Sequence, residues 1–335
     1  MDALRKIADA VLYEGYILWP YRRSALKNRQ RFTFGGVYPR AHSEGREDDP
    51  WKMRTEILLE GEPDASVDVR VRFLHVIERR VGRVAGDGLE WVDELTLAGT
   101  RHLSWSEASE REVAVEGVAL AALESPLRVP IDVAAGSEEE WLFEPSGEHA
   151  GAVVRSWRAL TGAVEIGARG VRPGLYRLGV EIANTTPFEA GDREQALRQT
   201  FCSTHTVVQA VGAELVSQTD PPERLAAEAD LCVNTGAWPV LVGEPGERHT
   251  MLSSPIILED YPRIAPESPG DLFDGGEIDQ LLTLSILSLT DAERAEMRDS
   301  DPRARAILER TEALSEDDLM RLHGAVQELR VARPR

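Results

Sequence analysis

The chain has 335 residues, of which 42% are hydrophobic and 29% charged, a composition that fits one large or two modest globular domains. Its formal net charge of −20 argues against general nucleic-acid binding, because a phosphate backbone would be repelled over most of the surface. Cys202 and Cys232 are too few cysteines for a disulfide-dense secreted fold. The sequence has neither an apolar run that could cross a bilayer nor a signal-peptide core, so we expect a cytoplasmic protein without a membrane span.

Residues 1–54 are predicted to form an N-terminal region with a short helix and a basic-aromatic segment. Apolar residues recur at helical spacing between Asp2 and Tyr13, which predicts the helix. From Pro20 to Arg40, basic and aromatic residues follow one another without an acidic residue. The segment either binds an acidic protein surface or packs against this chain's own acid-rich body. The candidate partner-binding residues are Trp19, Tyr21, Arg22, Arg23, Lys27, Arg29, Arg31 and Tyr38.

Residues 55–260 are predicted to form a β-rich body. Apolar and charged residues alternate between Val67 and Ile77, which is typical of a half-buried strand. Turn residues at 85–88 then predict a hairpin to a second strand. Pro130 favours an edge position for a strand over 127–133, and the clearest alternation lies at 174–184. Many short strands separated by turns favour an antiparallel, sandwich-like body over an alternating β/α fold.

The C-terminal part is predicted to be a proline-rich connector followed by helices. Three prolines within residues 261–273 favour an extended connector. In residues 274–335, Thr290 and Glu293 match a capping box, and Asp301 precedes a first-turn proline. These signals predict four short helices between 275 and 330. The expected fold class is therefore mainly β, with an N-terminal helix and an α-helical C-terminal region.

Common catalytic and nucleotide-binding motifs are absent from the sequence. It has no glycine-rich phosphate loop, no dinucleotide-binding fingerprint, no nucleophile elbow, no H-E-x-x-H and no C-x-x-C. Histidines, serines and acids are numerous enough to assemble triads on paper, so their presence indicates nothing without geometry. We therefore name no catalytic residue and favour a non-catalytic role.

The candidate metal ligands are Cys202, His205 and Cys232, whose thiolates and imidazole would suit zinc. If residues 200–210 form a strand, the odd separation of Cys202 and His205 places them on opposite faces. Buried free cysteines also commonly serve as small hydrophobes. We expect no cofactor, with a metal-handling protein or enzyme for zinc, nickel or iron as the alternative. A β-sandwich module that binds a small ligand in a cleft is a further alternative.

Several segments together carry a family resemblance: YEGYILWPYR at 13–22, SALKNRQRFTFGGVYP at 24–39, STHT at 203–206 and SSPIILEDYPRIAPESPGDLFD at 253–274. With the tail around Leu322–Gly324, they resemble a protein family associated with operons for nickel-iron hydrogenases, particularly the high-affinity type of actinobacteria. The resemblance implies an accessory role in hydrogenase assembly, maturation or support, with hydrogenase subunits or maturation factors as partners. It carries no catalytic residues over to this chain.

Overall fold

The computed structural model describes residues 2–17, 20–21, 31–32, 34–262 and 279–315. The chain divides into two compact units. The first comprises Met1–Tyr13 and Phe32–Pro262, and the second comprises Glu14–Arg31 and Arg263–Arg335. Residues 263–273 of the predicted connector and the predicted helix over 316–330 lie outside the described residues.

The first unit is built mainly of antiparallel strands, which confirms the predicted fold class. In chain order the strands are β1 (Lys52–Ala85), β2 (Gly88–Val92), β3 (Glu94–Leu97), β4 (Thr100–Leu103), β5 (Trp105–Ala119), β6 (Leu127–Val133), β7 (Gly136–Phe143), β8 (His149–Trp157), β9 (Leu160–Arg172), β10 (Leu175–Asn184), β11 (Cys202–Leu215), β12 (Trp238–Leu241) and β13 (Thr250–Ser254).

One large sheet has the strand order β12-β13-β11-β1-β10-β9-β6, and the hairpin of β3 and β4 forms a second, two-stranded sheet. The long strand β1 organises the large sheet, because β2, β5 and β8 also pair with it. Ala85 pairs with Gly88 at the turn into β2, which confirms the predicted hairpin. Strand β6 lies at the edge of the sheet, as Pro130 predicts.

The main hydrophobic core lies against one face of this sheet. Leu178, Val180 and Ile182 of β10 point into it at every second position, as period-two alternation requires. Ile131 of β6 and Leu241 of β12 join the same cluster although their strands end the sheet on opposite sides. Residues from both ends of the strand order therefore contribute to the main core.

The first helix, α1 (Asp2–Tyr13), packs on β11 and confirms the predicted N-terminal helix. Its residues Ala8 and Val11 contact the apolar cluster that contains Val207 of β11. Three shorter helices belong to the same unit: α2 (Arg40–Ser43), α3 (Arg193–Leu197) and α4 (Ala226–Ala229). A 3-10 turn over Leu120–Glu124 leads into β6, and another over Glu223–Leu225 leads into α4.

The described part of the second unit contains α5 (Asp279–Leu287), α6 (Asp291–Ser300) and α7 (Pro302–Glu312). Thr290 and Glu293 form the predicted capping box at α6, and Asp301 caps α7 before its first-turn proline. Both predicted caps are thus confirmed. No helix in the described ranges is long and apolar enough to span a membrane.

Candidate functional site

A trough of about 240 Å³ opens on the face of the large sheet that points away from the main core. Its floor is a pair of glycines, Gly179 of β10 and Gly167 of β9, which are directly opposite each other in the sheet. Glu56 of β1 is the neighbour of Gly179 on the other side. The floor thus runs across three adjacent strands.

At both floor positions, neither the backbone conformation nor the surrounding atoms require a glycine rather than a residue with a side chain. The backbone of both is free of the positive φ that favours glycine. An added Cβ at Gly179 would be 3.9 Å from its nearest atoms, and one at Gly167 would be 3.4 Å from Pro126. Both are ordinary van der Waals distances, so alanine would fit at either position, and glycine leaves the floor open.

One wall of the trough carries two arginines that lack an ion pair within the described residues. Arg177 of β10 lies directly opposite Arg169 of β9. Arg177 is only 7% exposed; its Nη2 donates to the backbone oxygen of Glu228 at 3.0 Å, and its Nε has no hydrogen-bond partner among the described residues. Arg169 is exposed. This pair is called the arginine wall below.

The opposite wall carries acids whose charges are already paired. Glu181 and Glu165 are directly opposite each other, in the same register as the arginine wall. Lys52 Nζ is 2.5 Å from Glu181, and Arg54 Nη1 is 3.8 Å from the same carboxylate. Glu165 has Arg128 of β6 at 3.8 Å. The trough therefore has one neutralised wall and one wall with excess positive charge.

Glu56 closes the end of the trough next to β1 and is buried at 5% exposure. Its carboxylate accepts hydrogen bonds from Arg54 Nη2 at 2.6 Å and from the backbone nitrogen of Val233 at 2.8 Å. Burial opposes ionisation, but these hydrogen bonds outweigh it and hold the pKa of Glu56 below its usual range. Asn234 bonds both backbone groups of Glu56, so the loop after α4 is fixed along β1.

Two of the sequence-predicted metal ligands lie on one face of β11, and the prediction of opposite faces is wrong. The register pairs Arg72 with His205 and Leu74 with Cys202, and it shifts between these two pairs. Ser203 has φ of 50°, which places a β-bulge between Cys202 and His205. The bulge adds one residue on β11, so residues on either side of it no longer alternate between the two faces according to their sequence separation.

Burial makes Cys202 a poor metal ligand and keeps the His205 ring neutral. It raises the pKa of the Cys202 thiol to about 12, so the thiol stays protonated near neutral pH. Burial also lowers the pKa of His205 to about 4. The His205 ring places Nδ1 3.2 Å from the backbone oxygen of Ser203, while Nε2 has no hydrogen-bond partner in the described part of the chain.

Cys232 belongs to a different environment, where it packs against the cluster of Leu58, Leu175 and Val216. Burial raises the pKa of its thiol, the charge of Arg177 and a hydrogen bond from its side chain lower it, and the charge of Glu56 raises it further. Within the described residues, no three His, Cys, Asp or Glu side chains form a group that could hold a metal ion. The structure thus does not bring the three predicted ligands together, and it places Cys232 beside the trough.

The basic-aromatic segment can be placed only in part. Tyr21, Arg31 and Tyr38 are buried, at 0%, 6% and 3% exposure. Tyr38 accepts a hydrogen bond from Arg193 at 2.6 Å, and the Arg31 guanidinium lies 4.6 Å from the centre of the Tyr16 ring. These three side chains therefore serve internal packing. The other five candidates lie outside the described residues: Trp19, Arg22, Arg23, Lys27 and Arg29.

The trough was missed at the sequence level, although the chain carries a signal for it. Residues 165–169 read Glu-Ile-Gly-Ala-Arg, and residues 177–181 read Arg-Leu-Gly-Val-Glu. The two segments mirror each other around the turn at 173–174, so antiparallel pairing brings like residues together. This mirror pattern predicts a glycine floor with an arginine wall and an acidic wall.

No family model, curated protein or solved structure matches the chain.

Proposed function

We propose that this protein is a non-catalytic accessory protein that supports a nickel-iron hydrogenase by binding one of its subunits or a maturation factor. The identity of the partner rests on the resemblance carried by residues 13–39, 203–206 and 253–274. The binding role is supported by one structural observation, the arginine wall of the trough. Arg177 and Arg169 are positioned by the sheet and have no ion pair within the described residues.

The arginine wall has the properties of an interaction site. Arginine is enriched among residues that dominate binding energy, because its planar guanidinium forms several directed hydrogen bonds at once. Antiparallel pairing fixes the spacing of the two residues along the sheet, and the hydrogen bond to Glu228 further orders Arg177 before a partner binds. The loop anchored by Asn234 holds Glu56, which closes the end of the trough next to β1.

Affinity purification of the tagged full-length chain from its native host, grown so that hydrogenase is expressed, tests this proposal. We expect hydrogenase subunits or maturation proteins to co-purify. The double variant Arg169→Glu/Arg177→Glu should lose them, whereas Arg83→Glu, a change at an exposed arginine elsewhere on β1, should retain them. Recovery of no such protein from cells shown to contain hydrogenase would refute the proposal.

The basic-aromatic segment provides a second, independent surface for the same experiment. Reversing the charges of Arg22, Arg23 and Arg29 together should abolish co-purification if this segment binds the partner. Unchanged recovery would remove the segment from the proposed interface and leave the trough. Elemental analysis of the purified chain addresses the metal-handling alternative, because a dedicated zinc, nickel or iron site should approach one equivalent of metal.

A further inference from the structure

We infer that the trough is a binding site for a carboxylate group, which Arg169 and Arg177 hold above the floor of Gly167 and Gly179. The inference names the chemical group that the arginine wall takes, and it rests on the proposed function for the use of that wall in binding. Its test needs only the purified chain and small probes. Failure of this inference can therefore be told apart from failure of the hydrogenase proposal.

The first argument is the cross-strand pairing of like charges. Arg169 and Arg177 are directly opposite each other in adjacent strands, a position where like charges repel. The equivalent acidic pair, Glu165 and Glu181, is neutralised by neighbouring cations. The arginine pair has no such counter-ion within the described residues. A bound carboxylate supplies the missing negative charge.

The second argument is the burial of Arg177. A buried charge is normally paired, because removing it from water without a partner is costly. The charge of Arg177 contributes to the lowered pKa of Glu56, but the Glu56 carboxylate already accepts hydrogen bonds from Arg54 and from the backbone nitrogen of Val233. Arg177 is within hydrogen-bonding reach of the Cys232 thiol, but its Nε has no hydrogen-bond partner among the described residues.

The third argument concerns the class of anion. Four acids also line the trough: Glu56, Glu124, Glu165 and Glu181. A dianion such as phosphate therefore meets more repulsion there than a single carboxylate. A planar carboxylate also matches the two parallel N–H groups of a guanidinium. A volume of about 240 Å³ admits a small organic acid or one acidic side chain with its flanking backbone.

Titration calorimetry on the full-length chain in about 0.15 M salt, where surface charges are screened beyond about 8 Å, tests the inference. The probes are butyrate and the blocked peptide acetyl-Gly-Glu-Gly-amide, each of which carries one carboxylate, and inorganic phosphate. We expect at least one carboxylate probe to bind with 1:1 stoichiometry and more tightly than phosphate. Tighter binding of butyrate indicates a free organic acid, and tighter binding of the peptide indicates an acidic segment of a protein.

Two matched pairs of variants locate the binding. Arg169→Gln should lower the affinity for the carboxylate probe at least tenfold, and Arg83→Gln should leave this affinity unchanged. The double variant Gly167→Ala/Gly179→Ala should fold normally, since both added methyl groups have room, yet weaken binding several-fold by raising the floor. Gly170→Ala is its control, because a Cβ at Gly170 meets nothing within 4 Å and this residue is not part of the trough lining.

Alkylation of Cys232 by iodoacetamide gives a second readout of occupancy. Cys232 is half-buried beside Arg177, whereas Cys202 is fully buried and serves as the unreactive internal reference. A saturating carboxylate probe should slow Cys232 alkylation several-fold. The inference is overturned if no carboxylate probe binds, if phosphate binds more tightly, or if binding survives both the Arg169→Gln and the double glycine variant.

Discussion

Glu56 and Arg177 are both buried charges at the trough, but their environments differ. Glu56 accepts hydrogen bonds from Arg54 and Val233 and closes the end of the trough next to β1. Arg177 donates to one backbone oxygen, and its Nε has no partner among the described residues. The neighbours of Glu56 therefore use its carboxylate fully, while the proposed carboxylate ligand would use the Nε of Arg177.

Replacing Glu56 with alanine should lower the free energy of unfolding by about 2 kcal/mol at pH 7, because Arg54 and the backbone nitrogen of Val233 both lose their acceptor. Urea unfolding measures this change. Glu94→Ala is the control, since Glu94 forms an exposed ion pair with Arg101 and should cost less than about 0.5 kcal/mol.

The effect of Glu56→Ala should also depend on pH. The pKa of Glu56 is lowered in the folded state, so its contribution is fully present above the unfolded pKa of about 4.3. It is lost as the pH falls through the lower folded pKa. An effect at pH 7 no larger than that of Glu94→Ala would show that Glu56 does not have this supporting role.

At the scale of helices and strands, local sequence signals were sufficient to predict the structure wherever one residue determines a turn, a sheet edge or a helix cap. The hairpin after β1, the edge position of β6 with Pro130, and the Thr290 and Asp301 caps all follow from such signals. The bulge at Ser203 does not, because a positive φ at serine has no sequence signature. Because the bulge lies between Cys202 and His205, the rule that an odd separation places two strand residues on opposite faces gave the wrong result for this pair.

The trough shows the same limit in another form. Its glycines and charged residues lie on two strands and form the floor and the walls only because the register aligns 165–169 with 177–181. The mirror order of the two segments is visible in the sequence, whereas the contribution of Arg54 and Glu56 from β1 is not. That contribution depends on which strand pairs beside β10, and pairing between distant segments has no local signal.

The two caps of the second unit predict different stabilities for neighbouring helices. Thr290 caps α6 at an exposed position, so Thr290→Ala should cost about 1 kcal/mol. Asp301 caps α7, is 2% exposed and also accepts a hydrogen bond from the Tyr16 hydroxyl at 2.7 Å. Asp301→Ala should therefore cost roughly 1–3 kcal/mol more, because the buried hydroxyl loses its acceptor.

Hydrogen exchange of peptides from α6 and α7, followed by mass spectrometry, measures the two effects separately. The variant Tyr16→Phe removes only the tertiary hydrogen bond and leaves the cap in place. A double-mutant cycle of Tyr16→Phe with Asp301→Ala then isolates their coupling. Equal costs for Thr290→Ala and Asp301→Ala, with no coupling to Tyr16, would show that Asp301 acts as a cap alone.

At the scale of the whole molecule, two buried histidines couple stability to pH. Burial lowers the pKa of His75 to about 4, with the charge of Arg111 acting in the same direction. Burial likewise lowers the pKa of His205 to about 4, with Arg72 lowering it further and Glu110 opposing. In the unfolded chain both rings titrate near about 6.5, so the unfolded state binds more protons between about pH 4 and 6.5.

Stability should therefore fall as the pH is lowered from about 6.5, by about 2 kcal/mol per histidine on reaching pH 5. Above about pH 5 most carboxylates remain ionised, so this window separates the histidines from the acids. Urea unfolding at pH 7.5, 6.5, 5.75 and 5.0 measures the slope. His205→Gln should reduce the slope by about half of the histidine contribution, and the exposed His149→Gln is the matched control. A purely structural role for His205 would instead lower stability equally at all four pH values, leaving the slope unchanged.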